Sequence, residues 1–209
     1  MKHSQASLPT WNTWTSAWLL VLFLFAACLF AQPAKAQQDS YTRVVAVKLE
    51  PGKAAGNPGW NLAAEFDIKL GQRLLDAVNR GLPLQFAVDF KLLRERWYWV
   101  DQEAVSSTYT YNLSYNALTR TYRLVTPTGT FNAQRLEDVM ENMAKLSDWP
   151  VIQKNQVVLG EPYTAQIRFR LVLTELPKPF QISALVNSEW DLYSDWLTFD
   201  FTPRREGLK

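Results

Sequence analysis

Residues 82–100 read LPLQFAVDFKLLRERWYWV, and their parity decides the fold. Leu84, Phe86, Val88, Phe90 and Leu92 occupy successive even positions, the period of a strand that buries one face. After Leu92-Leu93 the apolar residues change parity. Arg94, Arg96 and Tyr98 take the even positions and Trp97 and Trp99 the odd ones. A straight strand from 84 to 100 would reach roughly 56 Å at about 3.3 Å per residue. A domain of this size has a radius of gyration of about 16 Å and is only about 40 Å across. The pattern therefore predicts a bulge or bend near Leu92-Leu93 that turns the opposite face inward, with Trp97 and Trp99 continuing the buried stripe.

The segments on either side extend the same grammar. YTRVVAVKLEP (41–51) and WNLAAEFDIKL (60–70) read as strands, separated by the Gly-rich loop GKAAGNPG (52–59). GQRLLDAVNRG (71–81) reads as a short helix with Leu74, Leu75 and Val78 on one face and Gly81 as its left-handed terminator. SSTYTYNLSYNALTRTYRLVT (106–126) predicts a hairpin turning at 116–120. A second helix follows, with Asn132 as N-cap, Phe131 stapling onto Leu136, a Leu136/Val139/Met140/Met143 stripe, and Pro150 barring continuation. VVLG (157–160), YTAQIRFRLVL (163–173), QISALVN (181–187) and DWLTFDF (195–201) read as further strands, with the proline-stiffened turn TELPKPF between the second and third. The expectation is an α+β domain, mainly antiparallel and sandwich-like, with about nine strands and two helices.

The first 36 residues have another character. Lys2 and His3 give a basic start, 18–31 is an uncharged apolar run, and Ala34-Lys-Ala36 offers a small-residue cleavage pattern. These are the parts of a secretory signal peptide, and the run is shorter than the ~20 residues of a membrane-crossing helix. The expectation is a signal peptide at 1–36 followed by one β-rich domain at 37–209, located in the periplasm. The alternative is an inner-membrane anchor over 16–34. FAAC before Leu29 and Phe30 matches a lipoprotein box poorly.

Cleavage after Ala36 would remove 36 of the 209 residues and leave 173. The single cysteine, Cys28, and the single histidine, His3, would leave with the segment. Without them neither a Ser-His-Asp nor a Cys-His nucleophile can be built, nor the usual zinc site, nor a disulfide. Lys2 and Lys35 also leave, so 20 basic residues face 20 acidic ones. The basic excess of a nucleic-acid-binding domain is then missing. No cofactor or metal is expected, and the domain is not expected to be an enzyme.

Two clusters remain as candidate binding residues. EWDLYSDW (189–196) places Trp190 and Trp196 around Asp191 and Asp195, rings and carboxylates of the kind a glycan site uses. Asp89, Asp101 and Glu103 are candidates for a second acid. The plainer reading is a Trp-anchored turn with locally bonded Asp side chains. Arg168 and Arg170, with Arg94, Arg96, Arg120 and Arg123, form the second cluster, a basic stripe for an acidic partner or charges that guard a sheet face.

Taken in order, FDIKLGQRLLDAVNRGLPLQFAVDF, RWYWVDQE, LSYNALTRTYRL, TFNAQRLEDV, the DWP at 148–150, IRFRLVLTELPKPFQ and EWDLYSDW resemble a bacterial domain-of-unknown-function family, number 4390, over about 41–201. The resemblance implies a proteobacterial envelope protein with an N-terminal signal or anchor, loosely associated with a membrane sensor kinase, and carries no catalytic residue with it. The functional expectation is a non-catalytic envelope module that binds an envelope or inner-membrane protein. It would touch the membrane only through an uncleaved N-terminal segment. The alternatives are a cell-wall or glycan-directed protein and an apolar-ligand carrier.

Overall fold

The computed structural model describes residues 40–52, 59–94 and 102–204. The expected leader at 1–36, Arg96, Trp97, Trp99 and Asp101 lie outside the described residues, as does most of the 52–59 loop. The described residues belong to one compact unit, Gln37–Lys209.

Among the described residues nine strands form two antiparallel sheets: β1 Tyr41–Pro51, β2 Gly59–Lys69, β3 Leu84–Arg94, β4 Gln102–Asn116, β5 Thr121–Thr126, β6 Gly129–Ala133, β7 Lys145–Gln153, β8 Tyr163–Leu171 and β9 Leu197–Phe201. The small sheet runs β1-β2-β7 and the large one β6-β5-β4-β3-β8-β9. Three helices complete the described residues: α1 Gln72–Asn79, α2 Leu136–Met143 and α3 Lys178–Val186. The mainly antiparallel β reading holds, with three helices where two were expected.

Alternation builds the core. Even residues of β3 and odd residues of β8 point inward, so Phe86, Val88, Phe90, Ile167 and Phe169 are buried. They meet Trp60, Leu62 and Phe66 of β2 and Trp149 of β7. Phe66 of the small sheet lies 5.3 Å, centroid to centroid, from Phe169 of the large one. Trp149 stands edge-on to Tyr109 at 5.6 Å and to Phe90 at 6.5 Å, while Trp60 meets Phe201 at 5.6 Å. Rings from both sheets fill the space between them, and each such pair adds about 0.5–1.5 kcal/mol beyond its buried area.

The register shift expected near Leu92-Leu93 is present, and its extra residue lies on the partner strand. Leu92 pairs with Val105 and Leu93 with Glu103, so the extra residue is Ala104 on β4. β3 stays in continuous register with β8 through Leu93. Its own alternation is therefore kept through Leu92, and the irregularity belongs to its partner.

Five other readings are corrected. QISALVN lies within helix α3, whose first turn contains Pro179, a position where the missing N–H costs nothing. VVLG is an irregular segment after a 3-10 turn at Lys154–Gln156. Asn132 lies in β6, paired with Arg123, and α2 begins only after Arg135. Phe131 is paired with Leu124 in that strand and is not the staple of α2. The segment after α2 is strand β7, with Pro150 inside it. Proline is tolerated there because β7 is the edge of the small sheet. Asp148 at φ 51° and shifted pairing with β2 hide the strand's period.

At Gly59, β2 lies close against the backbone of β7. A Cβ at this position would collide with the backbone oxygen of Ile152, and backbone gives way less readily than a side-chain tip. Gly59→Ala is expected to lower stability by about 1–3 kcal/mol, the usual cost of forcing extra volume into a packed site. Urea unfolding at neutral pH measures it, and an unchanged midpoint would show that β7 moves freely away from β2.

Candidate functional site

The outer face of the large sheet is built by the odd residues of β3. Gln85, Ala87, Asp89 and Lys91 alternate with the buried stripe. Across β4 they face Asn112, Thr110, Thr108 and Ser106. Across β8, Ala87 faces Arg170, Asp89 faces Arg168 and Lys91 faces Gln166. Pairing register alone thus brings one carboxylate and two guanidinium groups to the centre of a polar face.

Asp89 is 8% exposed, and its oxygens are taken up on three sides. Arg170 donates from Nε to Oδ2 at 2.7 Å and from a terminal nitrogen to Oδ1 at 3.3 Å, a two-pronged contact. Arg168 Nε donates to Oδ2 at 3.0 Å and Thr108 Oγ1 to Oδ1 at 3.1 Å. Burial pushes the Asp89 carboxyl up. The hydrogen bonds from Arg170 and Arg168, helped by their charge and by Thr108, outweigh it and hold the group below the usual aspartate range.

Trp196 closes the cluster. It precedes β9, whose Leu197 pairs with Ile167, so Trp196 comes level with Arg168. The Arg168 guanidinium carbon sits 4.5 Å from the centre of its ring, and Lys91 Nζ approaches the same ring at 6.0 Å while pairing with Glu103 at 2.8 Å. The segment before β9 is pinned to β8: Ser194 N donates to Phe169 O at 2.8 Å and Leu171 N to Leu192 O at 2.7 Å. Phe169 N also donates to Ser194 Oγ at 3.0 Å.

The two expected clusters divide differently in space. Trp190 is 2% exposed, sits 5.8 Å from Phe180 of α3, and presents no ring face to a ligand. Asp191 and Asp195 are exposed. Asp195 and Trp196, with Ser194 and Leu197, line an open hollow of about 330 Å³ whose other wall is Thr42, Arg43 and Val44 of β1. Arg168 and Arg170 do lie side by side with Trp196, but they are committed to Asp89. Arg94 pairs with Glu161 at 3.2 Å, Arg120 occupies the hairpin turn at φ 54°, and Arg123 stands exposed on β5. Among the described residues no group of three or more His, Cys, Asp or Glu side chains could hold a metal ion.

Asp89 is the residue whose role sequence reasoning missed. A charged residue inside an apolar strand, together with two arginines spaced two apart in another alternating strand, carried the signal. Only the β3–β8 register joins them.

The model of the family described as Domain of unknown function (DUF4390) matches residues 54–200, and the chain belongs to that family. No curated protein and no solved structure matches it.

Asp89→Asn is expected to cost about 2 kcal/mol at pH 7, below the ~3–5 kcal/mol of a fully buried pair because both arginines are about one-third exposed. The sign with pH follows from the lowered titration. The native chain keeps the Asp89 contribution above the ordinary carboxylate pKa of about 4 and loses it as pH falls through the folded value. The gap between native and variant, read from urea unfolding, should therefore narrow towards pH 3.

Proposed function

We propose that this member of the DUF4390 family is an exported, non-catalytic module that binds another envelope protein through the outer face of its large sheet. The observation that carries the reading is the Arg168–Trp196 stack at 4.5 Å, held in place by Asp89. Arginine and tryptophan are the side chains that most often anchor protein interfaces. Here both are fixed before a partner arrives, so little side-chain entropy is left to lose on binding. The partly exposed guanidinium groups of Arg168 and Arg170 outnumber the single carboxylate between them, so the face favours an acidic partner.

Removal of residues 1–36 would leave this module in the periplasm without His or Cys; retention of the apolar run 18–31 would hold it at the inner membrane. In either case action by contact fits its side chains. A membrane sensor kinase, suggested by the resemblance of the sequence, is the first partner to test. The hollow beside Asp195 and Trp196 favours one second reading, a glycan fragment stacked on the Trp196 ring with Asp195 and Arg43 at its hydroxyls.

Trp196→Ala removes the ring and leaves the Arg170–Asp89 pair in place. Capture of the partner from envelope extracts is expected to fall at least tenfold, in line with the ~2 kcal/mol or more of an interface anchor, with thermal unfolding nearly unchanged. Equal capture by native and variant chains would remove this face from the proposal. Binding of purified wall fragments that is lost in both Trp196→Ala and Asp195→Ala would instead establish the glycan reading.

A further inference from the structure

Between Glu103 and Glu137 the chain has no acidic residue. That stretch forms most of β4 with β5 and β6, one side of the large sheet. Its charges are Arg120, Arg123 and Arg135. Arg135 pairs with Glu137 at 3.5 Å. Arg120 and Arg123 have no ion-pair partner among the described residues. Arg120 occupies the hairpin turn at φ 54°, a left-handed backbone that glycine or asparagine adopts at lower cost. This side of the sheet is therefore positive, with nothing of its own to neutralise it.

Strand register gathers polar groups around Arg123. Ser114 of β4 pairs with Arg123 of β5, and Arg123 pairs with Asn132 of β6. In the next row Asn116 pairs with Thr121. Directly paired residues share a face. This face is the outer one, since Ser114 follows the buried Leu113. These residues and Thr119 line an open hollow of about 720 Å³, within the ~300–1,000 Å³ of small-molecule sites. No carboxylate lines it. Asn116 Oδ1 accepts from the amides of Leu118 and Thr119 at 2.9 and 3.2 Å, which fixes the turn and leaves the Asn116 N–H groups to a ligand. The hydroxyls of Thr119 and Thr121 bond each other at 2.7 Å.

We infer that this hollow binds an acidic sugar, a saccharide unit that carries a carboxylate or a phosphate. Arg123 only donates hydrogen bonds, and its strong acceptor is an anion. Hydroxyl and amide side chains both donate and accept, as the hydroxyls of a sugar do. A bare oxyanion would engage Arg123 and leave the surrounding groups to water. Protein interfaces have apolar, aromatic centres. To a protein this lining offers only Ala117 and Tyr115, and the Tyr115 ring is already packed on Tyr122 at 4.7 Å. The inference goes beyond the partner face around Trp196, because β4 and β3 separate Arg123 from the arginines of β8.

The test titrates the full chain, held in micelles of a polyoxyethylene detergent, with digalacturonate, a glucose phosphate, neutral galactobiose and inorganic phosphate in a calorimeter. The two charged sugars should bind, with galactobiose at least tenfold weaker. Arg123→Gln should lower the affinity for both charged sugars about tenfold, the loss of one charge-assisted contact. Asn132→Ala should weaken both about threefold, the loss of one neutral hydrogen bond, and leave inorganic phosphate unchanged. Both residues are exposed, so the unfolding midpoint should not move. Added salt should weaken binding, and the tighter of the two charged sugars identifies the acidic group.

Failure of both charged sugars to bind at about 10 mM, a free energy below ~3 kcal/mol, overturns the inference, and so does binding that Arg123→Gln leaves intact. Inorganic phosphate that binds as tightly as the glucose phosphate, with Asn132→Ala without effect, would reduce the hollow to a simple anion site and overturn the sugar. Loss of envelope-protein capture in Arg123→Gln, with no sugar bound, would assign Arg123 to a protein interface and overturn it as well. Trp196→Ala is expected to leave sugar binding here unchanged, so this inference and the Trp196 partner face fail separately.

Discussion

An ionised carboxylate sits in the middle of the central strand of the large sheet, and the arrangement around it follows from the need to keep it charged at low exposure. A lone carboxylate there would be expelled to water or protonated. Asp89 stays in place because β8 runs alongside in a register that delivers Arg168 and Arg170 to its two oxygens. That register also sets the opposite face, where Val88 meets Phe169 and Phe90 meets Ile167. The polar cluster and the aromatic core are thus two sides of one pairing. A slip by one residue would bury the arginines and expose the phenylalanines.

The same constraint explains how the outer face differs from an ordinary solvated sheet. Two guanidinium groups that must hold Asp89 cannot sweep freely through water. Trp196 takes up the flat side of Arg168, and the backbone bonds of Leu192 and Ser194 fix the segment that carries the ring. Structural necessity at Asp89 therefore leaves a rigid, cationic and aromatic surface as a by-product. Such a surface is suited to recognition by contact.

Strict alternation made much of this legible in advance. β2, β3 and β8 could be read from residues such as Leu62, Phe86 and Ile167 because the large apolar side chains of each strand keep to one face. α1 was legible from Leu74 and Val78, and the hairpin from Asn116, whose side chain accepts from the amides of Leu118 and Thr119. The errors have identifiable causes. β7 was hidden by Pro150 and the left-handed Asp148, which break the period of two. In α3, apolar residues at 180, 182, 184 and 186 mimic a strand, because the helix contacts the core on one side and exposes aliphatic groups on the other. The pairing of Asp89 with Arg168 and Arg170 is separated by about eighty residues, and periodicity is blind at that range. Trp190 and Trp196 looked equivalent in EWDLYSDW; a 3-10 turn at Ser188–Trp190 sends the first inward, and strand parity sends the second outward.

Pro150 has one more consequence. Open sheet margins invite a neighbouring molecule to add its own strand, the first step of fibre growth. Without a backbone N–H at 150, and with a left-handed residue two positions earlier, β7 cannot offer an unbroken row of donors to such a recruit. On the far margin of the same sheet, the irregular pairing between Val44 and Ala46 of β1 interrupts the other row. In a domain that carries no covalent staple, the small sheet thereby resists templated polymerisation through the shape of its two outermost ribbons.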